Sequence, residues 1–172
     1  MKASSSSIHR LTRLAIYIAA AFLISYIESL VPLPLPFPGM KLGLANLVML
    51  IVLYQDGLAD ALIVSVLRSI LNSLTFGNLF SLFYGLAGGI FSLLVMALLH
   101  RIKKTERDDA LSVISISCIG GVCHNAGQFV VAWALVGFSA LVHYAPFLYF
   151  SGMIAGILVG IFAKLCLQRL PH

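Results

Sequence analysis

Six stretches of this chain read as membrane helices, and no other feature narrows its possible folds as far. A helix needs roughly 20 apolar residues to cross the hydrocarbon core, with about 17 to 25 the usual range. The stretches run from about Leu14 to Val31, Leu42 to Tyr54, Ala61 to Phe76, Leu79 to Leu99, Ser112 to Val136 and Ala145 to Leu167. The second is short for a full crossing, so it is expected to tilt little or to gain length as Lys41 reaches outward. After the first, the run Pro32-Leu33-Pro34-Leu35-Pro36-Phe37-Pro38-Gly39 cannot continue a helix, because alternate residues lack the amide donor. The expected fold class is an all-α integral membrane protein, a six-transmembrane-helix bundle forming one domain over residues 1–172.

Lysine and arginine positions orient that bundle. With the N-terminus inside, Lys2, Arg10, Arg13, Arg101, Lys103, Lys104, Arg107, Lys164 and Arg169 all fall on the cytoplasmic side. Only Lys41 is left outside, and Arg68 lies within a span. Both termini are therefore expected in the cytoplasm, with residues 1–12 a cytoplasmic tail, 32–41 an outer Pro-rich loop and 100–111 a basic cytoplasmic loop. Lys2, Arg10 and Arg13 before an apolar run resemble a signal peptide. That run exceeds an ordinary signal core and has no clear small-residue cleavage site, so it is read as a retained helix.

Composition agrees with a bilayer: 60% of residues are hydrophobic and 10% charged, against about 25% charged in soluble domains. The net charge of +5 sits in clusters at helix ends, which argues against a nucleic-acid partner. Cys118, Cys123 and Cys166 form no CxxC pair and read as small buried hydrophobes, so no metal site is expected. The stripes Gly85-x3-Gly89 and Gly152-x3-Gly156-x3-Gly160 read as close helix packing in lipid. Ala15-x3-Ala19 allows the same reading, or a face for a partner protein.

Polar side chains inside spans are costly, and each is a candidate for function. Here they are Glu28, Asn46, Arg68, Asn72, His124, Asn125 and Gln128. Arg68 and Asn72 share a helix face four residues apart, as do His124 and Gln128. On the topology above, the set gathers in the outer half beneath the Pro-rich loop. The plainer alternative is that Glu28 and Arg68 neutralise one another while the amides cross-link helices. Because Lys41 and Arg68 outnumber Glu28, the balance suits an anionic or acceptor-rich solute.

The segment Pro38-Gly39-Met40-Lys41-Leu42-Gly43-Leu44-Ala45-Asn46-Leu47-Val48 is similar to the signature of the Gx transporter family. Members of that family are often described as heptaprenyl diphosphate synthase component I. Leu67-Arg68, Tyr84-Gly85-Leu86-Ala87-Gly88-Gly89 and His124-Asn125-x-Gly127-Gln128 match it too, over nearly all the chain after the first dozen residues. The family resembles the substrate-binding S components of energy-coupling factor (ECF) transporters. The resemblance implies a compact six-helix subunit with its solute near the outer face, beneath the first loop. It also implies a transmembrane scaffold subunit and two ATPases, which use the ATP, so that this chain holds no cofactor of its own. Ala15 and Ala19 fit the AxxxA patch that meets the scaffold in S components, although Ala20 and Ala21 widen the small face.

Three functions compete. The first is a substrate-binding subunit for uptake of a small solute in a bacterial cytoplasmic membrane, in contact with membrane lipid. Its solute would be anionic, or an isoprenoid- or quinone-related precursor. Lys41, Arg68, His124 and Gln128 would contact the solute, and Asn46, Asn72 and Asn125 would support it. Glu28 would be either a contact or the counter-ion of Arg68, and Pro32–Gly39 the lid. The second function is an accessory membrane subunit of polyprenyl diphosphate synthesis. No DDxxD motif is present, since Asp108-Asp109 is followed by Ala-Leu-Ser and Asp56-x3-Asp60 gives two carboxylates. No catalytic residue is expected on this chain. The third is a stand-alone proton-coupled transporter using Glu28 or His124. No GxxxxGK[ST] stretch is present, so ATP would have to be used by partners.

Overall fold

The computed structural model describes residues 2–30, 43–102, 111–137 and 141–170. Within them are six helices: α1 (Lys2–Leu30), α2 (Asn46–Gln55), α3 (Leu58–Thr75), α4 (Leu79–Ile102), α5 (Val113–Val136) and α6 (Ala145–Leu167). Five of these are long and apolar enough to cross a membrane, all but α2. The burial pattern is inverted from that of a soluble protein. Leu74 is 77% exposed and Phe162 57%, whereas Gln128 is 3% exposed and Arg68 6%. Apolar surface turned outward, with the costly polar groups kept inside, is what hydrocarbon solvent selects.

The second expected span is therefore shorter than a crossing. Glycines trim α2 at both ends: Gly43 (φ +81) precedes it and Gly57 (φ +92) follows it, in backbone that side-chain-bearing residues avoid. Asn46 N–H bonds Gly43 O at 2.8 Å to open the helix, and Asp56 and Gly57 N–H both return to Val52 O to close it. Ten residues reach only about 15 Å, half the hydrocarbon thickness. Val48, Met49, Leu50, Val52 and Leu53 are buried, and α2 touches α1, α3, α4 and α6. A helix apolar all round belongs in a core.

Helix α1 begins at Lys2, where sequence reading puts a tail over residues 1–12. The charges of Arg10 and Arg13 need not leave the helix, because they meet Asp60 and Asp56 at the α2–α3 turn. Tyr17 adds a hydrogen bond from its hydroxyl to Gln55 Oε1 at 2.9 Å. Helix α4 likewise runs past Leu99 through His100 and Arg101, basic residues that suit the negative end of a helix. The Pro-rich loop 32–41 and most of the basic loop 100–111 lie outside the described residues.

Close helix contact is made by small residues. A methyl placed on Gly156 would lie 2.5 Å from Ser117 O, and one on Gly160 2.8 Å from Ile114 Cα. The α6 stripe therefore packs on α5, as internal packing requires. On α4, Gly85 and Gly89 face the hydroxyls of Ser69 and Ser65 on α3, a serine stripe with the same four-residue step. Asn78 starts α4, its Oδ1 accepting from Ser81 N–H at 2.9 Å, and Ser112 starts α5 by accepting from Ser115 N–H at 3.2 Å.

Candidate functional site

Helix connectivity places the C-terminal ends of α1, α3 and α5 at one end of the bundle, with the α3–α4 turn. Near that end, Glu28 of α1, Arg68 and Asn72 of α3, and His124 and Gln128 of α5 surround one cavity of about 40 Å³. Gly43, Ser69, Gly77, Ser81 and Gly85 complete its lining. Three helices thus deliver five of the six polar groups that sequence reading singled out on them for this site.

Each group is held by short local geometry. Glu28 is buried, and its Oε1 accepts from Gly43 N–H at 2.7 Å, tying the end of α1 to the turn before α2. Arg68 donates from Nη1 to Ser25 Oγ at 3.3 Å and lies in the field of Glu28. Its Nε is buried without an acceptor. His124 and Gln128, one helical turn apart, join through Nε2 and Nε2 at 3.0 Å, while the imidazole packs against Gly88. Asn72 Oδ1 and Gln128 Oε1 are buried and unbonded. A buried polar group without a partner costs about 1–3 kcal/mol, so these atoms make the cavity a candidate site.

Two of the expected site residues fall elsewhere, and one is not described. Asn125 points to α6, donating from Nδ2 to Leu148 O at 2.7 Å and Ser151 Oγ at 3.4 Å. Neighbouring residues on a helix diverge by about 100°, so the face that carries His124 and Gln128 cannot carry Asn125. Its grouping with the solute contacts is corrected: it is an interhelical link. Asn46 borders a separate void of about 10 Å³ that shares Gly43 with the main cavity. Lys41 lies outside the described residues.

Sequence reading missed Ser25, Gly43, Ser69, Gly77, Ser81 and Gly85. The available signal was spacing: Ser25 stands three before Glu28, and Ser65, Ser69 and Asn72 follow one another at four- and three-residue steps.

The opposite end holds a larger open groove of about 630 Å³ between the α2–α3 turn and the end of α4. Its one carboxylate, Asp56, is engaged by Arg13 at 2.9 Å, and Tyr54 stacks on His100 with ring centroids 4.2 Å apart. Among the described residues no three His, Cys, Asp or Glu side chains cluster as metal ligands would. Ala15 and Ala19 lie on the exposed side of α1, which packs mainly on α2 and α3 among the described residues.

A family model described as heptaprenyl diphosphate synthase component I matches residues 17–166. No curated protein matches in sequence. Among solved structures, the S component of a bacterial ECF transporter is similar in fold, with a TM-score of 0.75 over 95% of each chain. The two are 21% identical.

Proposed function

The chain belongs to the family described as heptaprenyl diphosphate synthase component I, and we propose that it acts as the substrate-binding membrane subunit of an uptake system. One observation carries this reading: five polar side chains from three helices surround a cavity in an otherwise apolar bundle. A fold shared with an ECF transporter S component supports it. Structural cross-links would spread through the bundle, as Asn125 does, with no reason to leave polar atoms unbonded at one cavity.

In the proposed arrangement the chain sits in a bacterial cytoplasmic membrane with both termini inside and the cavity toward the outside. Arg68, His124 and Gln128 contact the solute, Asn72 adds a hydrogen bond, and Glu28 orders the Gly43 turn and balances Arg68. A scaffold subunit and two ATPases supply energy, with the exposed Ala15–Ala19 face of α1 as the docking patch. The synthase reading has less support. Asp56 and Asp60 are paired with Arg13 and Arg10, cations that oppose the approach of a magnesium ion.

Native mass spectrometry of the protein, gently purified from its own membrane, tests the proposal. The expected result is a retained small molecule with scaffold and ATPase subunits, the small molecule being absent from Arg68→Ala. Affinity within about threefold of wild type in Arg68→Ala, roughly 0.7 kcal/mol, would remove Arg68 from the site. Recovery of a prenyl synthase subunit in place of ATPases would overturn the uptake reading. Replacing Ala15 and Ala19 by leucine is expected to spare solute binding and block uptake; unchanged uptake refutes the docking patch.

A further inference from the structure

The cavity's lining carries information about what it takes. Its residues are Glu28, Arg68, Asn72, His124 and Gln128, with glycines and serines filling the rest. Among the described residues, no leucine, isoleucine, valine, phenylalanine or methionine borders it, in a protein that is 60% hydrophobic. A hydrocarbon chain placed against these residues would meet polar groups, which would lose water without compensation. Volume points the same way, since about 40 Å³ has room for roughly three waters, the space of a compact solute and not of a prenyl chain.

The unbonded atoms then specify the complement. Arg68 brings a cationic donor whose Nε–H is unmatched, while Asn72 Oδ1 and Gln128 Oε1 are unmatched acceptors. Gln128 spends its amide nitrogen on His124 Nε2, which leaves the carbonyl for the cavity. The donor and one acceptor stand on α3 and the second acceptor on α5, so a single solute that satisfies all three must carry an acceptor and donors together. An anion without donors would leave both carbonyls unpaired; a neutral donor alone would leave the guanidinium unpaired.

We propose that the solute is a compact polar anion bearing its own O–H or N–H donors, such as a short hydroxy- or amino-substituted acid. Its anionic group meets Arg68, and its donors meet Asn72 Oδ1 and Gln128 Oε1. This inference rests on the substrate-binding reading and narrows it.

The test uses the full chain in lipid nanodiscs, with thermal unfolding and calorimetry against matched probes. The probes are lactate, glycerate and 3-aminopropanoate, each set against propanoate, with geranyl diphosphate as the isoprenoid arm. A donor-bearing acid is expected to raise the unfolding midpoint where propanoate does not. Asn72→Leu and Gln128→Met should each weaken that binding by roughly tenfold, one lost hydrogen bond to the solute. Equal response to propanoate, no response to any donor-bearing acid at millimolar concentration, or preference for geranyl diphosphate overturns the class. In the last case, loss of geranyl diphosphate binding in Arg68→Ala leaves the substrate-binding reading standing. A readout without ligand complements these: Asn72→Leu, which removes an unpaired buried carbonyl, should hold or raise the midpoint of the unliganded protein. A fall in that variant would mean the Asn72 amide serves internal packing, and overturns the inference.

Discussion

Substituting Gly121 by alanine tests whether the α5–α6 seam is as tight as its backbone geometry requires. The added methyl carbon would lie 2.2 Å from Gly152 O and 3.0 Å from both Gly156 Cα and N. Carbon and carbonyl oxygen rest at about 3.3 Å, so the helices must separate by about 1 Å. All three obstructing atoms are backbone, and none can rotate aside. A 1 Å gap forfeits up to about half of each contact along the seam, and overpacking of this kind costs about 2–3 kcal/mol. Against this, alanine is favoured over glycine within a helix by about 1 kcal/mol. The clash wins, with a net loss of about 1–2 kcal/mol. Reversible unfolding in mixed SDS micelles reads this out through Trp133, the single tryptophan, which lies on α5. Gly85→Ala is the control: its methyl meets only the Ser69 side chain, Oγ at 3.1 Å and Cβ at 3.4 Å, and no backbone atom, so a few tenths of an ångström relieve it. Gly121→Ala as stable as wild type, or no worse than Gly85→Ala, would refute the claim that the seam sets the spacing of α5 and α6.

Asn125→Ala is expected to cost stability and not solute affinity, because its amide bonds α6 and does not line the cavity. Interhelical hydrogen bonds of this kind average about 0.6 kcal/mol and reach about 1.7. The same unfolding titration, paired with calorimetry on a binding probe, separates the two effects; a loss of affinity matching Arg68→Ala would return Asn125 to the site. Replacing Arg10 and Arg13 together by glutamine should lower the unfolding midpoint, since Asp60 and Asp56 would lose their partners while remaining buried. Both arginines are more than half exposed, so the difference from wild type should shrink as salt rises. A salt-independent difference would mean the ion pairs are not its source.

The sequence made the helices legible because apolar length is a coarse property that needs no knowledge of partners. Residues 145–167 fall where hydropathy puts them, and α5 starts one residue inside its expected bound. The start of α1 was hidden for a physical reason. Arg10 and Arg13 look like the edge of a membrane segment until Asp60 and Asp56, far along the chain, are known to meet them. The site was half legible. Rarity of polar groups in apolar spans picked out Glu28, Arg68, Asn72, His124 and Gln128, which do share one cavity. The same rule swept in Asn125, because hydropathy counts a residue without saying which way its helix turns. It passed over Gly43, Gly85 and Ser69, whose contribution is to be small where another chain segment comes close.

The shortness of α2 bears on how the protein is made. Membrane insertion machinery judges a segment largely by whether it can satisfy a full bilayer alone, and ten residues cannot. Between α2 and α3 stand only Asp56 and Gly57, so the two leave the ribosome as one hairpin with one arm too short to be retained. That arm is enclosed by α1, α3, α4 and α6, while the arginines of α1 meet their acids at the hairpin's bend. Its burial is complete only once the last helix of the bundle has packed, so the shortest helix depends on the longest stretch of chain.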